Sequence, residues 1–294
     1  MNQVKILTDS CSDLGEDLLT ARDIGYARMN IVVRGEEKPA SLLWDLYTPQ
    51  ELYGVMREGE RVTTTQVPAQ EFLTVFGKVL EEGNDIVYIG CSSALSGSVN
   101  TARVVARQLG ETYPDRKIFC IDSINSSLGE GLLAVRAADL RDAGKSAEEI
   151  AAAIEEEKIR VNQFCTVANL DTLRRAGRVK GSAAFFGNLF GVKPIIVSDV
   201  NGQNVPVKKV KGRIASLDEI VNMLADAIGD DRAQCIYISH ADCADDAAYV
   251  EKKVKEKIPE ASVYLNYIGP IIGASIGPGA IALFGTGRPV TVAG

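Results

Sequence analysis

The sequence predicts an α/β protein: a parallel-sheet N-terminal domain with helices on both faces, followed by a smaller α+β C-terminal domain. Three observations carry that prediction. Short β-branched runs alternate with helix-period segments through the first half, the pattern of a parallel sheet. From Gln163 onward the pattern changes, and Asn201-Gly202 lies between two β-rich runs, a strong hairpin signal. The length, 294 residues, fits two domains, with the division expected at 1–160 and 161–294.

Lys5-Ile6-Leu7 reads as a first strand, ending in the polar turn Thr8 to Leu14. Tyr26 to Val33 reads as one further strand. Thr48 caps a helix with Pro49 at its first position. Arg61 to Pro68 is a polar turn, and Ala69 to Glu81 is the helix after it. Ile86 to Ile89 is an apolar, β-branched run. A serine-rich turn follows, Cys91 to Ser98, and Val99 to Ala106 has apolar residues at helical spacing. Lys117 to Ile121 is a strand, Asp122 to Gly129 a polar turn, and a helix comes next. Ser146-Ala147-Glu148-Glu149 is a capping box opening the helix to Lys158, which links the domains. Turns that follow parallel strands gather at one sheet edge, where open α/β sheets bind ligands. Their hydroxyls, with the unpaired N–H groups of the helix starts, suit an anion. The same serines also serve as helix caps.

In the second half, Gln163 to Ala168 is a strand and Leu170 to Arg175 a short helix stopped by Gly177. Lys193 to Ser198 and Val205 to Lys209 form the hairpin. Leu217 to Ile228 and Asp245 to Ile258 read as helices, Cys235 to Ser239 and Ser262 to Asn266 as strands. Ile268 to Ala280 is glycine-rich and otherwise almost wholly apolar. It fits either a close-packed lining or a set of tight turns.

An apolar fraction of 46% with 24% charged residues is that of a soluble globular protein. No run approaches the ~20 apolar residues of a membrane span, and the N-terminus lacks the features of a signal peptide. A cytoplasmic location is expected. The net charge of −7 argues against a nucleic-acid surface. Six cysteines without a C-x-x-C pair, and a single histidine, argue against zinc and for buried free thiols. Nucleotide-binding glycine motifs are absent. Gly90-Cys91-Ser92-Ser93-Ala94 loosely matches a nucleophile elbow. An alternative reading is therefore a serine hydrolase or esterase using Ser92 or Ser96 with His240.

The motifs also form an ordered set: Thr8 to Leu14, Thr64-Thr65-Gln66, Ser92 to Gly97, Leu170 to Arg178 and Ile268 to Gly279. This set resembles the DegV family of bacterial fatty-acid-binding proteins across essentially the whole chain. The resemblance implies a lipid held between the two domains and no catalysis by the chain itself. It implies a long-chain fatty acid as ligand, without a cofactor, and no stable membrane insertion. It implies a partner fatty acid kinase that phosphorylates the bound carboxylate, supplying acyl phosphate for phospholipid synthesis. The ligand contacts it implies are Thr64, with Thr65 beside it, Ser96, Ser275 and Arg178; Ser93, Gly97, Ser126 and Gly273, in the polar turns and the glycine-rich segment, are further candidate contacts. Arg213, after the hairpin, falls where a basic residue is implicated in kinase docking. Two positions depart from the family pattern. Ser275 stands where the family carries histidine, giving a neutral hydroxyl instead of an ionisable ring. Val67-Pro68 replaces the usual Pro-Ser. The run Ala183 to Phe190 is either a wall for the tail or inter-domain core. A third reading is a regulatory or structural binding protein for another apolar anion.

Overall fold

A computed structural model of the chain describes residues 3–168, 170–181 and 191–293. The first sheet is built from β1 (Val4–Asp9), β2 (Ile24–Ala27), β6 (Asp85–Gly90) and β7 (Ile118–Asp122), in the order β2-β1-β6-β7. All its pairings are parallel. Successive residues of a strand point to opposite faces. Leu7 and Ile86 therefore join one core with Phe72 and Phe76 of α3 (Ala69–Glu81) and Val99 and Ala102 of α4 (Ser98–Thr112). Ile6 and Val87 join another with Leu132 of α5 (Leu128–Asp142) and Ile150 of α6 (Ala147–Glu157). Every residue of β6 is buried, as a doubly covered parallel strand requires. The expected starts of α2 (Pro49–Arg57) and α6 are real capping boxes, Thr48 with Glu51 and Ser146 with Glu149.

The strand expected over Tyr26 to Val33 is two. β2 ends at Ala27, and β3 (Asn30–Val33) belongs to a separate antiparallel sheet of order β4-β3-β5, with β4 (Glu36–Pro39) and β5 (Thr63–Thr65). Side chains break the ladder: the Arg28 N–H donates to Glu71 Oε1 (3.1 Å) and the Met29 N–H to Ser10 Oγ (3.0 Å). The polar turn expected at Arg61 to Pro68 thus contains a short strand.

The second sheet has the order β10-β9-β8-β13-β11-β12. Its strands are β8 (Val161–Thr166), β9 (Val192–Ser198), β10 (Asn204–Lys211), β11 (Cys235–His240), β12 (Ser262–Tyr267) and β13 (Ile281–Thr286). Its pairings are antiparallel except β11 with β12. The β9–β10 hairpin turns through Asn201-Gly202, with Ser198 opposite Asn204. β13 went unread in the sequence. It is buried over Ile281–Gly285, so it presents a continuous apolar run without alternation. α8 (Arg213–Ile228) and α9 (Ala244–Lys257) pack on one face of this sheet.

α5 packs between the two sheets. Its residues join Ile6, Val87 and Ile89 of the first sheet to Tyr237, Ala282 and Phe284 of the second in one apolar cluster. α10 (Pro270–Ile276), begun by Pro270 and ended by Gly277, packs against α7 (Leu170–Ala176) and against α2, β3 and β5 of the first half. The run 183–190, expected as wall or core, lies outside the described residues. Among the described residues no helix is long and apolar enough to cross a membrane.

Candidate functional site

The turns after β1, β6 and β7 meet at one edge and are tied together by buried carboxylates. Asp9, at the end of β1, accepts from the Cys11 N–H (2.8 Å), the Tyr88 hydroxyl (2.7 Å) and the Cys91 N–H (3.2 Å). Burial pushes its pKa up, and these bonds pull against that. Asp122, at the end of β7, accepts from the Ser93 N–H (3.2 Å) and the Ile124 N–H (2.9 Å). Ser93 and Ser126 are thereby presented on adjoining turns.

Between these turns, the second sheet, α7 and α10 lies a cavity of about 450 Å³. Cys165, Ile196, Ala282 and Phe284 of the sheet, Leu173 of α7, and Ile268, Ile271, Ile272 and Ile276 in and before α10 give it apolar walls. Of the expected contacts, Thr64, Ser93, Ser96, Gly97, Ser126, Arg178 and Ser275 line it. Thr65 does not: one residue along a strand reverses the side chain, and its hydroxyl donates to Glu37 Oε1 (2.9 Å). Gly273 does not either; a Cβ there would overlap the Tyr53 hydroxyl, which donates to the Ile268 carbonyl (2.7 Å). Its glycine is a packing requirement.

The lining hydroxyls fall into two groups. Among the described residues, those of Thr64, Ser93, Ser126 and Ser275 have no hydrogen-bond partner. Ser96 is engaged: its hydroxyl shares a bond with Ser98 Oγ (3.0 Å) and accepts from the Ser98 N–H (3.3 Å). Arg178 contributes the cation. Its Nε donates to the Leu95 carbonyl (3.3 Å) and its Nη1 to the Ala176 carbonyl (2.5 Å). A Cβ on Gly97 would meet the side-chain oxygen of Gln66.

Two clasps close the site. The hairpin turn docks on the serine turn: Ser92 Oγ donates to the Gly202 carbonyl (2.9 Å) and Ser198 Oγ to the Ile124 carbonyl (2.9 Å). Asp13, buried, accepts from the Ser127 hydroxyl at the start of α5 and from the Gly269 N–H (2.9 Å) ahead of α10. Burial pushes its pKa up to about 8.

A family model described as "Uncharacterised protein, DegV family" matches residues 3–286. The chain belongs to the DegV family. A DegV domain-containing protein of Clostridium perfringens is 34% identical over 284 residues, covering 97% of each chain. Two solved structures are similar throughout. A DegV family protein from Thermus thermophilus, described for its fatty acid binding, has a TM-score of 0.86 at 26% identity, covering 97% of this chain and 99% of that one. DegV from Bacillus subtilis, described as a fatty acid binding protein, has a TM-score of 0.84 at 26% identity, covering 98% and 100%. The DegV fold in both carries the two-part α/β arrangement expected from the sequence.

This DegV chain brings no nucleophile and base together from the hydrolase set. Ser92 is spent on Gly202 and Ser96 on Ser98. His240 is buried, packs against Tyr267 with ring centroids 4.3 Å apart and planes tilted by 41°, and accepts at Nδ1 from the Cys243 N–H (3.3 Å). The expected triad is corrected: His240, at the end of β11, bonds neither serine, and all three side chains are engaged elsewhere. Arg213 is bound within the chain, its Nε and Nη2 on Asp246 (2.8 Å each) and its Nη2 also on the Gly279 carbonyl (2.7 Å). The six cysteines are free thiols, and no group of three or more metal-ligating side chains occurs among the described residues. Gln66, Ser127, Gln163 and Asn204, none of them among the expected contacts, also line the DegV cavity. Gln163 carried a signal, being a polar residue on a strand whose residues are all buried.

Proposed function

We propose that this DegV chain is a non-enzymatic carrier that binds a long-chain fatty acid, tail in the cavity and carboxylate on the hydroxyls at its polar end. One observation carries the reading: the hydroxyls of Thr64 and Ser275, unpartnered among the described residues, line with Arg178 a cavity that also has a broad wall of isoleucine, leucine and phenylalanine side chains. A buried carboxylate needs such donors. The cavity volume of about 450 Å³ is in the range of small-molecule sites. A tail of about sixteen carbons buries ~14 methylenes, each worth roughly 0.8 kcal/mol before ordering costs. The fatty-acid-binding description of the Thermus and Bacillus relatives supports the same ligand class.

The finer proposal divides the chain at 1–160 and 161–294. It has Thr64, Ser93, Ser126, Arg178 and Ser275 contact the head group, with Ser96 and Gly97 shaping the turn. A partner kinase then phosphorylates the carboxylate in the cytoplasm, for phospholipid synthesis. Arg213 acts in kinase docking by ordering the Gly279 loop through its bonds to Asp246 and Gly279. Native mass spectrometry after expression in a bacterial host tests the carrier reading. A bound mass in the range of palmitate or oleate is expected. Apo protein only, with no uptake of either added acid, would overturn it.

A further inference from the structure

Gln163 is a polar residue set into the apolar sheet wall of the cavity. It lies on β8 between Val161 and Cys165, which share its face, while Phe164 turns to the opposite core. Its cross-strand partner is Phe284 of β13, and the partner of Cys165 is Ile196 of β9. Cys165, Ile196 and Phe284 line the cavity with it. Its amide therefore stands in the wall that would flank an acyl tail, on a different element from Thr64, Arg178 and Ser275. The residue is only 7% exposed.

The sense of that amide is fixed by its neighbours. Asn204 Nδ2 donates to the Arg178 carbonyl (3.2 Å), which leaves Asn204 Oδ1 to accept. Gln163 Nε2 donates to that oxygen (2.9 Å). Gln163 Oε1 is what remains, and among the described residues it receives no hydrogen bond. A buried amide oxygen without a donor costs free energy. An ionised carboxylate only accepts, and a methylene chain neither donates nor accepts. A plain fatty acid therefore leaves this oxygen stranded. We propose that the cavity selects a fatty acid bearing a hydroxyl on its chain, and that this hydroxyl donates to Gln163 Oε1. The inference rests on the carrier reading, which lays an acyl tail against the sheet wall. A chain hydroxyl supplies the one donor that hydrocarbon lacks, at the one acceptor set among the apolar side chains of the sheet.

The test titrates the full chain with palmitate, β-hydroxypalmitate, a mid-chain hydroxypalmitate and ω-hydroxypalmitate. At least one hydroxylated acid is expected to bind about tenfold or more tighter than palmitate, and the best of the three locates the carbon that meets Gln163. In Gln163→Met, which keeps the length and removes the acceptor, that preference should fall to about twofold or less. Palmitate should bind the variant at least as well as the unaltered chain. A merely structural glutamine would instead weaken all four acids alike, and that result overturns the inference. Circular dichroism checks the fold; should the methionine variant not fold, Gln163→Asn, which withdraws the oxygen by one methylene, gives the same readout. Palmitate binding the unaltered chain as tightly as every hydroxylated acid would overturn the inference and leave the carrier reading standing. So would a hydroxyl preference that survives the loss of Gln163. Failure of all four acids to bind overturns the carrier reading, and the inference with it.

Discussion

Among the described residues, hydroxyls without a partner and engaged hydroxyls sit side by side in the cavity, and the proposed function makes the first ligand contacts and the second scaffold. Removing Thr64 or Ser275 hydroxyls by Thr64→Val or Ser275→Ala should weaken fatty-acid binding by about 1–3 kcal/mol, because a buried carboxylate oxygen loses its partner. The melting temperature should hardly move, since among the described residues neither hydroxyl bonds the protein. Ser96→Ala should do the opposite and cost about 0.5–2 kcal/mol of stability, the scale of a lost helix-start bond. Titration with a fluorescent fatty acid beside thermal melts reads both; an affinity loss at Ser96 without a stability loss would make it a head-group contact. Asp13 gives a pH dependence. With a folded pKa near 8, against about 4 in the unfolded chain, the folded state binds more protons between those limits. Stability from this group is therefore highest at low pH and falls as pH rises toward 8. Asp13→Asn, which still accepts from Gly269, should melt progressively higher than the parent as pH is raised from 5 to 8. Parallel melting curves across that range would show the group to be ionised throughout. The pair Thr64-Thr65 shows where residue-level reading stopped. Both were equal candidates until β5 supplied the alternation that turns one inward and the other to Glu37.

Elements were legible where local chemistry is explicit. Asn201-Gly202 marked the β9–β10 hairpin, and Thr48-Pro49 and Ser146 with Glu149 marked helix starts. The β4-β3-β5 sheet was not legible, because it depends on Ser10 and Glu71 capturing the backbone of Arg28 and Met29 from far along the chain. β13 was hidden for the reverse reason: a strand covered on both faces has no period to read. The hairpin prediction belongs at this scale. Gly202 has φ +75°, and a Cβ there would overlap Ser92 Oγ and approach the Ile124 backbone. Gly202→Ala should lose about 1–3 kcal/mol in urea unfolding. It should also weaken ligand binding, since the hairpin turn backs the serine turn. Unchanged binding in the folded variant would uncouple the hairpin from the site.

Residues of both halves line the cavity, so on the proposed function its occupancy should stabilise the whole chain. Palmitate at about a hundred times its dissociation constant should add about 2.7 kcal/mol, seen as a rise in melting temperature that shrinks for an eight-carbon acid. An equal rise for both lengths would place the tail outside the cavity. The two-sheet plan was readable from the sequence, yet the layer joining the sheets was not, because α5 looks like an ordinary surface helix until its neighbours are known. Leu128–Val135 of that helix are all buried, with its flanks committed to opposite sheets. A molecule riveted through its middle cannot open like a clamshell. Parting the halves would strip one flank of α5 of its apolar cover. On the proposed carrier function, the fatty acid is then expected to enter and leave beside α7 and α10, which line the cavity, while α5 stays packed. The amides of α5 should exchange with deuterium at the rate of global unfolding, and loading with lipid should slow α10 far more than α5.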